Sequence, residues 1–135
     1  FLAFEGPRRA IAQAYAAAGI GVGDLDFAEV HDCFTPAELL TYEAMGLAPQ
    51  GQGARVLEEG TVFADGRTPV NLSGGLKAKG HPVGATGVSM HALAFRQLTG
   101  QAGAMQRKGA QWGLAFNMGG TAVANYASLL NADRA

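Results

Sequence analysis

Three short segments combine reactive side chains with glycine or with the end of an apolar run. The first is His31-Asp32-Cys33-Phe34, which directly follows a predicted buried strand that ends at Val30. Ligands of α/β sheets bind at the carboxyl ends of strands, and an imidazolium near a thiol stabilises the thiolate. This segment therefore predicts acid–base or nucleophilic chemistry near neutral pH, against the alternative that a lone cysteine is a small buried apolar residue.

The second segment runs from Asn71 to Gly87 and places His81 between Gly80 and Pro82. It leads into a predicted helix, and helix N-termini favour anions and developing negative charge. The segment lacks the Gly-Lys-Ser/Thr pattern of a P-loop, which excludes that class of phosphate site. The alternative is a surface loop with a solvated histidine and two solvated lysines.

The third segment is Asn117-Met118-Gly119-Gly120, between two predicted strands. Free N–H groups of paired glycines can form a nest for an oxyanion. Taken alone, this segment is better interpreted as an ordinary tight turn.

The elements that must position these segments follow from apolar periodicity, caps and glycine stops. The predicted helices are Pro7 to Gly19, Thr35 (as N-cap) to Gly46, and Gly87 to Leu98. The predicted strands are Leu25 to Val30, Pro69 to Leu72, Trp112 to Met118 and Thr121 to Leu130, the last two joined as a hairpin at Gly119-Gly120. The order α-β-α-β-α-β-β indicates the α/β class, a layered fold with helices packed on a mixed sheet.

Two regions between these elements are expected to lack regular structure, namely residues 47–68 and 74–86. The helix from Gly87 to Leu98 has apolar residues that wrap widely around it, which predicts a buried helix. Its stripe consists of Val88, His91, Leu93 and Phe95.

The composition excludes several classes of protein. The 135 residues fit one domain, and 48% of them are apolar, enough for a core. The net charge of −1 gives no footprint for nucleic acid or for a membrane surface, and no stretch is apolar enough to span a bilayer. A single cysteine suits a reducing compartment, and we expect a cytoplasmic protein without a signal peptide. The absence of an initiator Met suggests a processed, truncated or internal segment.

Together, the three segments resemble the C-terminal half of the thiolase family. The block Ser73-Gly-Gly…Gly80-His-Pro-Val-Gly-Ala-Thr-Gly87 is similar to the thiolase histidine motif. His31-Asp-Cys-Phe34 resembles the variant of sterol-carrier-protein-X-type thiolases, which replaces the Asn-Glu-Ala-Phe of other thiolases. Order and spacing agree from about Gly19 to Leu130. The resemblance implies that residues 1–135 are a thiolase C-terminal domain, with the N-terminal, nucleophile-bearing half absent.

The resemblance also implies roles for individual residues. His81 would activate the nucleophilic cysteine and help to bind the thioester oxygen, and His31 would take the place of the asparagine that holds a water in that oxyanion hole. Cys33 would carry the proton of the substrate α-carbon. Gly119 would donate its N–H to the second oxyanion hole, the one for the acyl-enzyme.

Further residues would contact the substrate. Phe34 would line the pantetheine channel, and Ser73 and Gly74 are expected to bind the substrate or coenzyme A. One departure from ordinary thiolases is Asn117, which stands where they have an acid/base cysteine, so Cys33 would have to compensate.

The resemblance implies an acyl-CoA C-acyltransferase, a thiolase that makes or cleaves a carbon–carbon bond of a 3-oxoacyl-CoA. A coenzyme A thioester is the expected substrate, with no metal and no covalently bound cofactor. The expected partners are the N-terminal thiolase half and further copies of the protein, as a dimer or tetramer. Because the nucleophilic cysteine belongs to the N-terminal half, the 135 residues alone are expected to be inactive.

Two alternatives remain open at this point. One is a thiolase-like aldolase that acts on steroid or acyl-CoA side chains with a small OB-fold/zinc-ribbon partner, although Cys33 favours the acyltransferase. The other is a non-catalytic, lipid-binding subunit with a thiolase fold, which Asn117 keeps open. A reactive cysteine in an upstream half would favour the acyltransferase over both.

Overall fold

A computed structural model describes residues 3–132 of the chain. Its helices are α1 (Glu5–Ala18), α2 (Thr35–Met45), α3 (Gly53–Glu58), α4 (Gly75–Lys79) and α5 (Thr86–Leu98), with single 3₁₀ turns at Val22–Asp24 and Gly103–Met105. Its strands are β1 (Phe27–Val30), β2 (Trp112–Gly119) and β3 (Ala124–Asn131).

Within the described residues the strands form one mixed sheet in the order β1-β2-β3. β1 pairs in parallel with β2, from Phe27 opposite Gly113 to Val30 opposite Phe116. β2 and β3 form the predicted antiparallel hairpin. Because β1 and β2 run in the same direction, the residues that follow Val30 and those that follow Phe116 meet at the same edge of the sheet.

Helices cover both faces of this sheet, which confirms the predicted layered α/β fold. α1 and α2 bury one face in a cluster that includes Ile11, Met45, Val30, Leu114 and Phe116. α5 packs on the other face, where the buried residues include Phe27, Met90, Ala94 and Ala115. Side chains alternate between the faces of a strand, so Asn117 points toward the α5 side while Phe116 and Met118 point toward α1 and α2.

The strand predicted from Pro69 to Leu72 is wrong. The segment makes one isolated parallel bridge, between Val70 and Ala28 on the free edge of β1. It then leaves the extended conformation at Asn71, which has a φ of 56°. At Val30 the acceptor is a side chain instead of a backbone carbonyl, because Oδ1 of Asn71 accepts the N–H of Val30 at 2.8 Å.

The expectation that the helix from Gly87 to Leu98 is buried holds for only one side of it in this chain. α5 turns a narrow stripe toward the sheet, with Met90 and Ala94 fully buried. On its opposite side Val88 is 70% exposed and Phe95 is 57% exposed. Nothing in residues 3–132 covers that outer face.

Smaller differences concern the loops and one helix start. The region 47–68 contains the short helix α3, and the region 74–86 contains the short helix α4. α2 begins at Thr35 with Pro36 in its first turn, but its N-cap residue is Phe34, so Thr35 is not the cap.

Candidate active site

A cavity of about 680 Å³ opens at the edge of the sheet where β1 and β2 end. Five of the residues predicted from the sequence line it, from three separate segments of the chain. They are His31, Cys33, Phe34, His81 and Gly119. The parallel pairing of β1 with β2 brings the first and last of these segments together, and α4 with its following loop brings His81 to the same place.

His31 lies directly beyond the last residue of β1 and is only 6% exposed. Its Nδ1 lies 2.7 Å from Oδ1 of Asn117 on β2. Burial lowers the pKa of His31 because it desolvates the imidazolium, and the hydrogen bond to Asn117 opposes that effect in part. The ring is therefore neutral near neutral pH.

His81 is exposed at the mouth of the cavity, and its Nδ1 lies 2.7 Å from Oγ1 of Thr86. The Thr86 hydroxyl donates in turn to the carbonyl of Pro82, at 3.3 Å. Because that bond uses the hydroxyl proton, Thr86 accepts from Nδ1–H of His81 and leaves Nε2 unprotonated. The His31 and His81 rings meet edge to face, with centroids 5.0 Å apart and planes at 89°.

Cys33 lies half-buried on the same cavity wall. Burial raises the pKa of its thiol, and backbone N–H groups and the charge of Lys77 oppose that effect in part. This direction favours the protonated thiol over the thiolate. A protonated thiol is the form that can give a proton to a carbanion.

Two buried carboxylates, one within β1 and one just after it, hold the segment that precedes His81. Asp32 accepts the backbone N–H of Leu76 at 2.6 Å and that of Lys77 at 3.4 Å, at the start of α4. Glu29, only 1% exposed, accepts the Ser73 hydroxyl at 2.5 Å and the Ser73 N–H at 3.2 Å. Burial raises the pKa of the Glu29 carboxyl, and the bonds from Ser73 counteract this rise.

The structure does not bring Ser73 and Gly74 to the cavity wall. Ser73 is held by Glu29, and Gly74 is the left-handed N-cap of α4, with a φ of 88°. Their assignment to substrate binding stays a prediction. Sequence reasoning missed Glu29 and Thr86, although a carboxylate within the apolar strand Phe27–Val30 was a usable signal, since buried charges need partners.

The mouth of the cavity is apolar and open. Phe34, Val83 and Tyr126 line it and are 72%, 89% and 70% exposed. After Gly119 the chain turns through Thr121 and Ala122, whose φ angles of 55° and 66° are unfavourable for side chains other than glycine. Such strained backbone often lies at functional sites.

Residues 3–132 contain no group of three or more His, Cys, Asp or Glu side chains arranged to hold a metal ion. None of the helices in that range is long and apolar enough to span a membrane.

Comparison with known proteins supports the resemblance. The family described as Thiolase C-terminal domain-like matches residues 1–132. The acetyl-CoA acetyltransferase of Methanothermobacter thermautotrophicus is 47% identical over 108 residues, which are 80% of this chain and 28% of that protein. Sterol carrier protein 2 of Homo sapiens is 45% identical over 116 residues, 86% of this chain and 21% of that protein.

Among solved structures, one titled Ltp2-ChsH2(DUF35) aldolase has a similar fold. It superposes with a TM-score of 0.85 at 27% identity, covering 96% of this chain and 32% of that chain. The chain thus spans between 21% and 32% of the length of these three proteins. The chain belongs to the thiolase family, in which it matches the C-terminal domain.

Proposed function

We propose that the chain is the proton-transfer half of an acyl-CoA C-acyltransferase of the thiolase type. Its reaction makes or cleaves the carbon–carbon bond of a 3-oxoacyl-CoA, through an acyl group held on a cysteine of an N-terminal thiolase half. One observation carries this proposal. His31, Cys33, His81 and Gly119, from three separate segments, line a single cavity at one edge of the sheet.

His81, Cys33 and Gly119 each suit one step of that reaction, and His31 holds a water in the oxyanion hole for the thioester. His81, with Nε2 unprotonated, takes the proton of the nucleophilic thiol as the thiol attacks the 3-oxo carbon. When the bond between C2 and C3 breaks, the electron pair stays on C2 as an enolate, and the protonated thiol of Cys33 returns a proton to C2. The N–H of Gly119 stabilises the oxyanion of the acyl-enzyme, a donor whose loss typically costs about 10²–10³ in rate. Phe34 forms part of the apolar channel for the substrate.

The test is a thiolysis assay of the whole protein with a 3-oxoacyl-CoA and coenzyme A. We expect two acyl-CoA products and, without coenzyme A, an acyl group on a cysteine outside residues 1–135, detected by mass spectrometry. The 135-residue chain, assayed in parallel, is expected to be inactive because it lacks that cysteine. A covalent acyl group on Cys33, or turnover by the short chain alone, would contradict this assignment.

An aldolase is the second candidate, supported by the structural similarity to the Ltp2-ChsH2(DUF35) aldolase. Retro-aldol cleavage releases a free aldehyde or ketone and consumes no coenzyme A. Thiolysis consumes one coenzyme A for each bond cleaved. The stoichiometry of coenzyme A therefore distinguishes the two, and 47% identity to an acetyl-CoA acetyltransferase against 27% to the aldolase favours the acyltransferase.

A further inference from the structure

Asn117 is the residue at the cavity that the proposed reaction leaves without a role. It lies on β2 one residue beyond Phe116, which pairs with Val30, so it stands beside His31 at the end of the parallel pair. Its Oδ1 lies 2.7 Å from Nδ1 of His31. This is the one hydrogen bond found for the His31 ring in residues 3–132.

We propose that Asn117 is a positioning residue that fixes the proton of His31 on Nδ1 and leaves Nε2 as a hydrogen-bond acceptor. A neutral imidazole carries one N–H, and the acceptor that binds one nitrogen decides which nitrogen has it. An amide oxygen at 2.7 Å selects Nδ1–H.

The orientation of the Asn117 amide supports this assignment. Its Nδ2 points to α5, where a Cβ built on Gly87 would lie 3.0 Å away. The opposite end of the amide, Oδ1, faces His31. A swapped amide would present a donor to Nδ1 and select the other tautomer, so the position of the His31 proton reports the orientation directly.

The charged and titratable neighbours of His31 leave this tautomer in place. Asp32 precedes the half-buried Cys33 and is bound to the amides of α4, while the His81 ring meets His31 edge to face at 5.0 Å. No charged side chain on β2 or α5 shares a hydrogen bond with the ring in the described part of the chain. Asn117 thus acts without adding charge.

The consequence changes the role of His31 in the proposed reaction, and this step rests on the proposed function. An unprotonated Nε2 cannot donate to an oxyanion. It accepts instead, either from a water whose second proton points to the thioester oxygen or from the thiol of Cys33. His31 is then a proton acceptor rather than a substitute for a donor amide.

The first experiment is two-bond ¹⁵N–¹H correlation spectroscopy of the whole protein, labelled on histidine, at neutral pH. We expect His31 to show the pattern of the Nδ1–H tautomer. His91, which lies on the outer side of α5 and bonds the carbonyl of Gly87, is the internal reference. The Nε2–H pattern for His31 in the unsubstituted protein would overturn the proposal, whatever the variants show.

The second experiment uses charge. Asn117→Asp places a carboxylate beside Nδ1 and is expected to raise the pKa of His31 by about 1–3 units. Asn131→Asp adds the same charge at the far end of the hairpin, where Asn131 pairs with Trp112, and is expected to leave that pKa unchanged. Equal shifts of the His31 pKa in both variants would show that Asn117 makes no specific interaction with the imidazole ring.

A third measurement separates this inference from the proposed function. In a thiolysis assay the acidic limb of the kcat/KM profile is expected to move to higher pH in Asn117→Asp and not in Asn131→Asp. Absence of thiolysis would contradict the proposed function, while the tautomer in the spectrum still decides the role of Asn117. In an active Asn117→Asp protein the His31 pKa could rise while the acidic limb stays in place. That result would contradict the role of His31 as the proton acceptor.

Discussion

The two imidazoles at the cavity are held in the same manner, each through Nδ1 by a side-chain oxygen from a neighbouring element. Asn117 of β2 holds His31, and Thr86 of α5 holds His81, both at 2.7 Å. Catalytic groups held by such partners are already oriented before substrate arrives, which removes part of the entropic cost of the reaction. The sequence motifs predicted the two histidines but not the partners that hold them, because Asn and Thr form hydrogen bonds almost anywhere.

His81→Ala in the whole protein is expected to slow alkylation of the nucleophilic cysteine by about 10²–10⁴-fold, since a positioned base contributes that much. The measurement is the rate of iodoacetamide labelling of that thiol. His91→Ala is the matched control, because His91 is exposed on α5 and does not line the cavity. An unchanged labelling rate in His81→Ala would remove the assigned role.

Cys33→Ala is expected to abolish exchange of the substrate α-proton while leaving acylation of the nucleophilic cysteine intact. The reason is that Cys33 handles the proton at C2 and not the attack on the 3-oxo carbon. Deuterium incorporation from D₂O measures the first step, and intact-protein mass spectrometry measures the second in the same sample. Loss of acylation instead would place Cys33 in a different step.

At the scale of elements, the segment from Asn71 to α4 is fastened to β1 mainly by side chains, beside one backbone bond from the Asn71 N–H to the carbonyl of Ala28. Glu29, Asp32 and Asn71 supply the side-chain bonds. The sequence predicted the main helices and the hairpin well, since their periodicity and glycine stops are local. It failed at Pro69–Leu72, because a run of apolar residues does not reveal that an asparagine side chain will replace the backbone in pairing with Val30.

Glu29→Gln is expected to make stability less dependent on pH. Burial raises the pKa of Glu29 above its ordinary value. Below that ordinary value the carboxyl is protonated in both the folded and the unfolded protein and does not affect stability. As pH rises through the folded pKa, ionisation of Glu29 increasingly destabilises the folded protein. The free energy of unfolding of the unsubstituted protein, relative to Glu29→Gln, should therefore fall as pH rises from the ordinary pKa of glutamate through the raised pKa of Glu29.

Urea denaturation at several pH values measures this difference. Glutamine keeps both contacts with Ser73, because the Ser73 hydroxyl can accept from Nε2 while its N–H donates to Oε1. A difference that stays constant with pH, or that grows, would contradict the burial of an ionised Glu29.

Gly75→Ala is expected to destabilise the fold by more than about 1 kcal/mol. Gly75 has a φ of 64°, and a Cβ there would lie 2.2 Å from Oδ2 of the buried Asp32. Gly109→Ala is the control, since Gly109 has a φ of 75° and open space around it. The excess loss in Gly75→Ala over Gly109→Ala, from thermal or urea unfolding, measures the contact with Asp32, and equal losses would argue against it.

At the scale of the whole molecule, the exposed outer face of α5 stands out. The sequence predicted a buried helix, and in this chain only one side of it is buried. The chain spans 21% to 32% of the length of its relatives. We expect the N-terminal half of the proposed assembly to cover Val88 and Phe95, which would reconcile the sequence pattern with their exposure.

Phe95→Ser tests that arrangement. In the 135-residue chain it is expected to change the free energy of unfolding by no more than about 0.5 kcal/mol, because the side chain is 57% exposed. In the whole protein the same substitution is expected to cost about 3–5 kcal/mol, as for a buried aromatic residue. Equal small effects in both would show that this face stays in solvent.

The parallel pairing of β1 with β2 also has a consequence for how the polypeptide matures. His31 and its partner Asn117 are 86 residues apart, and all four residues of β1 are buried in the finished sheet. During synthesis β1 therefore stays exposed until β2 and β3 have been made. Pairing between strands so far apart in sequence is intrinsically slow. Fragments that stop before Trp112 should aggregate or depend on chaperones, because the hairpin of β2 and β3 is the last element needed to bury β1.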